Sequence, residues 1–394
     1  MLISRPAVIA QVQAALAIHP IAALLGPRQC GKTTVARMIA DQQPATYFDL
    51  ENPVDARRLS APLTVLENLS GLVMVDEAQR RPELFPLLRV LADRPHNPAR
   101  FLLLGSASPQ LVHGASESLA GRIGFVDLAG FDLTEVDATQ RDRLWLRGGF
   151  PRAFLADDDA ASLAWREAFT RTFLERDIPQ LGITIPAETL RRFWTMVAHY
   201  HGQLWNAAEF ARSLGASEVT ARRYLDILAG AYVVRVLPPW FENIGKRQVK
   251  APKVYIRDSG ILHGLLQLGT LTDVQSHPKL GASWEGFVIE QIIRLLDMRD
   301  AYFWATHGGA ELDLLVRVRG KPYGFEIKYA DAPGASRSMY VALHDLGLEH
   351  LWVVYPGKHQ YALDRQITAL PVEALSRLAA DLGSQQRHVL DLST

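Results

Sequence analysis

The chain is predicted to be α/β, with a phosphate-loop core, a helical lid, a winged helix-turn-helix and a C-terminal α/β domain. Three stretches carry that expectation. "IAALLGPRQCGKTTVARMIA" is an apolar run that turns through a glycine loop into a helical pattern. "GLVMVDEAQR" is a buried-strand pattern ending in two acids. "ELDLLVRVRGKPYGFEIKYA" is a pair of alternating runs joined by a turn.

At 394 residues the chain is too long for one ordinary domain, and 48% hydrophobic content is enough for several cores. The expected divisions are 1–140, 141–203, 204–256 and 257–394 for the four modules in order. Lysine plus arginine equals aspartate plus glutamate at 42 each, so any contact with nucleic acid depends on a local patch. The single cysteine, Cys30, excludes an internal disulfide and fits a reducing compartment. The first twenty residues read as a short helix, with Ser4 as its cap and Pro6 in its first turn. They lack the pattern of a secretory leader. No apolar run approaches the ~18 residues of a membrane span, so a cytoplasmic protein without a membrane partner is expected.

Within the first third, Gly26, Pro27, Arg28, Gln29, Cys30, Gly31, Lys32 and Thr33 spell G-x-x-x-x-G-K-T. Backbone N–H groups of such a loop wrap phosphates, and the following helix adds its positive end. Lys32 is expected to reach the β- and γ-phosphates and Thr33 to bind magnesium. Thr34 completes the nucleotide stretch as a helix starter. Leu72–Val75 read as a buried parallel strand, which sets Asp76 at its C-terminal end, where ligands of open α/β sheets sit. Asp76 is the second expected magnesium contact, and Glu77 the base that orients the attacking water. "FLLLGSAS" sets Ser106 at another strand end, in reach of a γ-phosphate. "ATYFDLEN" is one more strand, ending near Asp49. Cys30, inside the loop, is either a redox switch on ATP binding or a tolerated thiol.

"LLGPRQCGKTTVAR", "VMVDEAQR", "LLLGSASPQL", "SLAGRIGFVDLAGFDLTEV", "GGFP" and "FLERDIP" resemble a family of prokaryotic AAA-type ATPases that carry a C-terminal domain of unknown function, number 4143. The resemblance runs on through "KVYIRDSGIL" and "FEIK". It implies an AAA-type ATPase core using ATP and Mg²⁺, followed by that domain. In "SLAGRIG" it matches Arg122, which either completes the γ-phosphate site, in cis or from a neighbour, or makes a salt bridge or helix-end contact.

Helical periodicity in "REAFTRTFLERDIPQLG" and "AETLRRFWTMVAHYHG" predicts the lid. His199 and His201 would lie on different faces of its second helix, which argues against a metal pair. Further on, "AAEFARSL" ends at Gly215 and a second helix starts at Ser217, with Ala221, Tyr224, Leu225 and Leu228 as its apolar stripe. Arg223 lies opposite, flanked by Thr220 and Arg222, and "YVVRVL" follows as a strand. Helix, turn, helix, strand is the order of a winged helix-turn-helix. Lys246, Arg247, Lys250 and Lys253 form a basic cluster close behind. DNA contact through Thr220, Arg222, Arg223, Lys246 and Arg247 is one expectation. The other is a helical module packed between domains.

Alternation along the last hairpin puts Glu311 and Asp313 on one face and Leu312, Leu314, Val316 and Val318 on the other. Glu326 and Lys328 share a face opposite Phe325, Ile327 and Tyr329. Ahead of the hairpin, Glu285 lies on the apolar stripe of "GASWEGFVIEQIIRLLDM". Helix, three strands, helix, strand, with these acids and an E-x-K, resembles the PD-(D/E)xK nuclease fold. Hard cations suit carboxylates, so Glu285, Asp313 and Glu326 are the expected metal ligands. Lys328 is the expected catalytic cation, and Glu311 either a fourth acid or solvent-exposed. The expected function is an ATPase acting on or near nucleic acid, with a metal-dependent nuclease-like domain. The rival is an ATP-gated regulator that binds DNA or a protein partner and cuts nothing.

Overall fold

The computed structural model describes residues 2–95, 98–106, 117–241, 248–298 and 300–384. Its first helix, α1 (Pro6–Ile18), opens on a proline whose missing N–H costs nothing at that position. Arg5 occupies the capping position, so Ser4 is not the cap. Arg5 is buried and donates to Glu135 and to the carbonyls of Cys30, Ala129 and Gly130. A guanidinium therefore fixes the entry of the chain where a hydroxyl was expected.

Five parallel strands follow: β1 (Ile21–Gly26), β2 (Ala45–Asp49), β3 (Gly71–Asp76), β4 (Ala99–Ser106) and β5 (Ile123–Asp127), in the order β2-β3-β4-β1-β5. Strand β1 is buried throughout, as a central parallel strand covered on both faces must be. Helix α2 (Lys32–Ala40) leaves the loop after β1 and buries Val35, Ala36 and Ile39. Asp49, Asp76 and Ser106 each end a strand, as the sequence suggested.

The segment expected as a lid contains α3 (Asp159–Thr172), a π-helical turn over Phe173–Asp177, and α4 (Ala187–His199). Helix α4 ends at His199, so His201 lies beyond it and the two histidines share no helix. Helix α5 (Ala207–Leu214) stops at Gly215, whose φ of 66° is easy only for glycine. Helix α6 (Glu218–Gly230) starts at Ser217, whose hydroxyl accepts the Thr220 N–H at 3.1 Å. Strands β6 (Gln203–Leu204), β7 (Val234–Leu237) and β8 (Lys253–Ile256) form an antiparallel sheet in the order β6-β8-β7.

The last domain begins with α7 (Leu280–Leu295). Strands β9 (Ala301–Ala305), β10 (Glu311–Val318) and β11 (Lys321–Ile327) precede α8 (Arg337–Leu346), and β12 (His350–Tyr355), β13 (Tyr361–Asp364) and β14 (Ile367–Pro371) follow it. The mixed sheet is ordered β13-β14-β12-β11-β10-β9. One expectation fails in β10. Its pairing with β9 shifts register between Leu312 and Leu315. Leu312 and Leu315 therefore pack into one core, and Leu314 and Val316 into the other. A bulge adds one residue to a strand, and strict alternation breaks there.

Two cores cross the module boundaries. One joins Leu24 of β1 and Val35 of α2 to Phe173 and Trp194 of the expected lid segment and Phe210 and Leu225 of the helix pair. The other joins Phe131 and Trp145 to α7, β10 and β11. No helix among the described residues is long and apolar enough to cross a membrane.

Candidate functional site

The loop between β1 and α2 lies at the centre of the first sheet. A side chain on Gly26 would meet the Leu128 carbonyl at 1.9 Å, and Gly31 has a φ of 104°, so both positions require glycine. Lys32 is buried, and its ammonium donates to the loop carbonyls of Gly26 and Pro27, each at 2.9 Å. The Thr33 hydroxyl donates to Asp76 Oδ2 at 2.8 Å, and Tyr47 donates to the same oxygen at 2.5 Å. A hydroxyl and a carboxylate beside a phosphate-type loop fit a magnesium nucleotide, with Thr33 and Asp76 as the residues that would hold the ion. Thr34 is exposed on the first turn of α2. The Cys30 side chain is fully buried in the apolar core, which favours a tolerated packing thiol over a redox switch.

Glu77 follows Asp76 with a φ of 56°, a backbone state that a non-glycine residue holds only under constraint. Burial pushes its carboxyl above the usual range, against the opposing charges of Lys32 and Arg28. Gln79 donates to Glu77 and, at 3.0 Å, to the Ser106 hydroxyl, joining the ends of β3 and β4. Arg28, inside the loop, donates to Asp177 at 2.6 Å, Gln180 at 3.2 Å and Glu51 at 2.5 Å, and stands 4.0 Å from Glu77. Asp177 closes the π-helical turn of the lid, and a cavity of about 220 Å³ lies between loop and lid. The sequence reading missed Gln79, Tyr47 and Asp177. Their signals were present in "VDEAQR", "ATYFD" and "FLERDIP", but which partner each faces depends on the fold.

Arg122 lies at the other edge of the sheet. Its Nε and Nη2 donate to both oxygens of Asp93 at 2.6 and 2.8 Å. It precedes Ile123, which pairs with Ile21, so it is about 16 Å along β1 from Gly26. Within this chain Arg122 makes the salt bridge of the two readings and does not reach the loop.

On α6, Ala221, Leu225 and Leu228 face the core while Arg222 and Arg223 are exposed. Arg222 pairs with Asp226 at 3.2 Å, and Thr220 shares a 2.9 Å hydrogen bond with Ser217. Arg222, Arg223 and exposed Lys250 border an open groove of about 880 Å³ with Trp205, Leu181 and Val219, the last 80% exposed. Lys246 and Arg247 lie outside the described residues.

Lys253 leaves the expected basic cluster. It is buried, and its ammonium stands 3.1 Å from Glu285, 2.5 Å from Glu311 and 3.9 Å from Asp313. Tyr255 also donates to Glu285, at 2.5 Å, and Asp313 accepts the Ile327 N–H at 2.8 Å. Lys328 pairs with Glu326 at 2.6 Å. Burial, then the charges of Glu285 and Glu326, push the Asp313 carboxyl well above its usual range. The expected residues do come together. However, among the described residues no group of three or more His, Cys, Asp or Glu side chains is arranged to hold a metal ion. Glu285, Glu311 and Asp313 stand around a lysine of β8, and Glu326 pairs with Lys328. Strand alternation and the helical stripe pointed to the acids and missed this lysine, which belongs to a different sheet.

Residues 19–137 match a family described as AAA domain. Residues 138–272 match a domain of unknown function (DUF8612), and residues 280–375 another (DUF4143). The chain is similar to the "Uncharacterized protein Rv2008c" of Mycobacterium tuberculosis and to the "Uncharacterized protein Mb2031c" of Mycobacterium bovis. Each is 55% identical over 375 residues, spanning 95% of this chain and 85% of the relative. Among solved structures it is similar to the Walker-type ATPase PABY2304 of Pyrococcus abyssi, with 16% identity and a TM-score of 0.48 over 67% of this chain and 96% of that one. It is also similar to the Thermotoga maritima RuvB Holliday junction branch migration motor, with 21% identity and a TM-score of 0.31 over 60% of this chain and 90% of that one.

Proposed function

The chain belongs to the family of AAA-type P-loop ATPases that carry the C-terminal domain DUF4143, and from that premise we propose that it hydrolyses ATP in the cytoplasm and uses the nucleotide state to reset a nucleic-acid-binding helix pair. The observation that carries the reading is Arg28. A residue of the phosphate loop is ion-paired with Asp177 of the lid, and the lid shares its core with α5 and α6.

In this reading Lys32 turns from the Gly26 and Pro27 carbonyls to the β- and γ-phosphates. Thr33 and Asp76 would hold a magnesium ion, which would offset phosphate charge. Glu77 orients the attacking water, and its raised pKa suits brief proton acceptance. Ser106, steered by Gln79, senses the γ-phosphate. Added phosphate charge near Arg28 competes with Asp177 and Glu51 for the guanidinium, which would loosen the loop from the lid. On the far side, Arg222 and Arg223 meet nucleic-acid phosphates from exposed positions, with Thr220 beside them.

A second reading is favoured by the apolar lining of the groove beside α6: the same face takes a protein segment. Salt dependence separates them, since phosphate contacts weaken steeply with added salt and apolar docking does not. The primary test is steady-state ATP hydrolysis with Lys32→Ala and Glu77→Gln. Loss of turnover in both supports the nucleotide assignment, and parental rates in both refute it.

A further inference from the structure

The acidic pocket of the C-terminal domain is filled from outside that domain's sheet. Strand β8 pairs with β6 and β7, yet its first residue points into the carboxylates of α7 and β10. The Lys253 side chain is 7% exposed, and its ammonium also lies 5.6 Å from the centre of the Phe303 ring. Three carboxylates converge on one nitrogen, Glu311 at 2.5 Å, Glu285 at 3.1 Å and Asp313 at 3.9 Å. A second, independent feature marks the place as one built for a cation. Glu326 is 6% exposed, and while one of its oxygens meets Lys328, the other is buried without a hydrogen-bond partner.

We infer that Lys253 is the resident cation of this pocket, and that it and a divalent metal ion exclude one another. The ammonium offsets part of the charge of Glu285, Glu311 and Asp313 in the position a metal would take, and in doing so ties β8 to the last domain. Withdrawing it would leave buried Asp313 and half-buried Glu285 uncompensated, a costly state that a divalent ion relieves. The pocket is then a masked metal site, open to a divalent ion only when Lys253 leaves it. This does not depend on the ATPase reading, and the test uses no nucleotide.

The experiment is thermal unfolding of the full chain with increasing Mn²⁺. Asp313→Asn is run in each background to subtract binding at Thr33 and Asp76. The parent is expected to show no Asp313-dependent rise in melting temperature. Lys253→Met should gain a rise of several degrees at millimolar Mn²⁺, lost again when Asp313→Asn is added. Lys253→Arg keeps a cation in place and should not respond. An Asp313-dependent Mn²⁺ response in the parent overturns the inference, as does a folded Lys253→Met chain without one. If Lys253→Met does not fold, the parent and Lys253→Arg decide the matter: no Asp313-dependent response in either supports the inference, and a response in either overturns it.

Discussion

Lys32, Glu77 and Arg28 occupy neighbouring positions in the site but predict different failures. Lys32→Ala removes the charge that meets the phosphates, so both ATP affinity and turnover should fall. Glu77→Gln keeps the shape and leaves Thr33 and Asp76 in place. Binding should persist while turnover drops by about 10²–10⁴, the usual worth of a positioned base. Equilibrium binding of a fluorescent ATP analogue and phosphate release under excess ATP measure the two separately. Equal losses of binding in both variants would contradict the roles assigned. At this scale the sequence was informative where function fixes spacing, as in the run from Gly26 to Thr33 and in Asp76 at its strand end. It was silent where a partner comes from a distant segment. Asp177 follows Arg28 by 149 residues and Ser106 follows Gln79 by 27. No local pattern encodes such meetings.

Helix α6 was legible from its cap and stripe: Ser217, then Ala221, Leu225 and Leu228 at helical spacing. What faces the exposed side was not, because solvent-facing arginines look alike whether they meet phosphates, acids or water. Arg222→Ala with Arg223→Ala should weaken binding to duplex DNA and lower the slope of log affinity against log salt by about 2, leaving ATP affinity unchanged. Anisotropy at several salt concentrations reads both quantities. An unaltered slope would assign the groove to a protein segment. Strand β10 shows the opposite limit of sequence reading. Its alternation predicted the strand correctly, but a bulge between Leu312 and Leu315 is a matter of pairing with β9 and leaves no periodic signature.

Across the whole molecule, shared cores couple modules whose sequences read as separate. Two buried histidines lie along these joints. His201 accepts the Ile256 N–H at Nδ1, which requires that nitrogen to be unprotonated, and His263 lies between the Leu146 carbonyl and the Ser283 hydroxyl. Burial lowers each to about 3, helped at His201 by the charge of Lys279. The unfolded chain takes up these protons near pH 6.5 and the folded chain does not. Their contribution is therefore intact above pH 6.5 and falls away as the pH drops from there towards 3. Acids with raised pKa, such as Asp313, act in the opposite sense, so a comparison of two chains isolates the ring. His201→Gln keeps an acceptor for Ile256, and its stability deficit against the parent should narrow by about 1.4 kcal/mol per pH unit below 6.5. A constant deficit between pH 7.5 and 5 would mean that His201 is not held neutral. DNA affinity with and without saturating ATP in the Glu77→Gln chain tests most directly whether the nucleotide state reaches α6 through Arg28 and the lid. An ATP-dependent change in Kd that disappears when Arg28→Ala is added is expected, and a Kd indifferent to ATP while ATP is demonstrably bound would contradict that coupling.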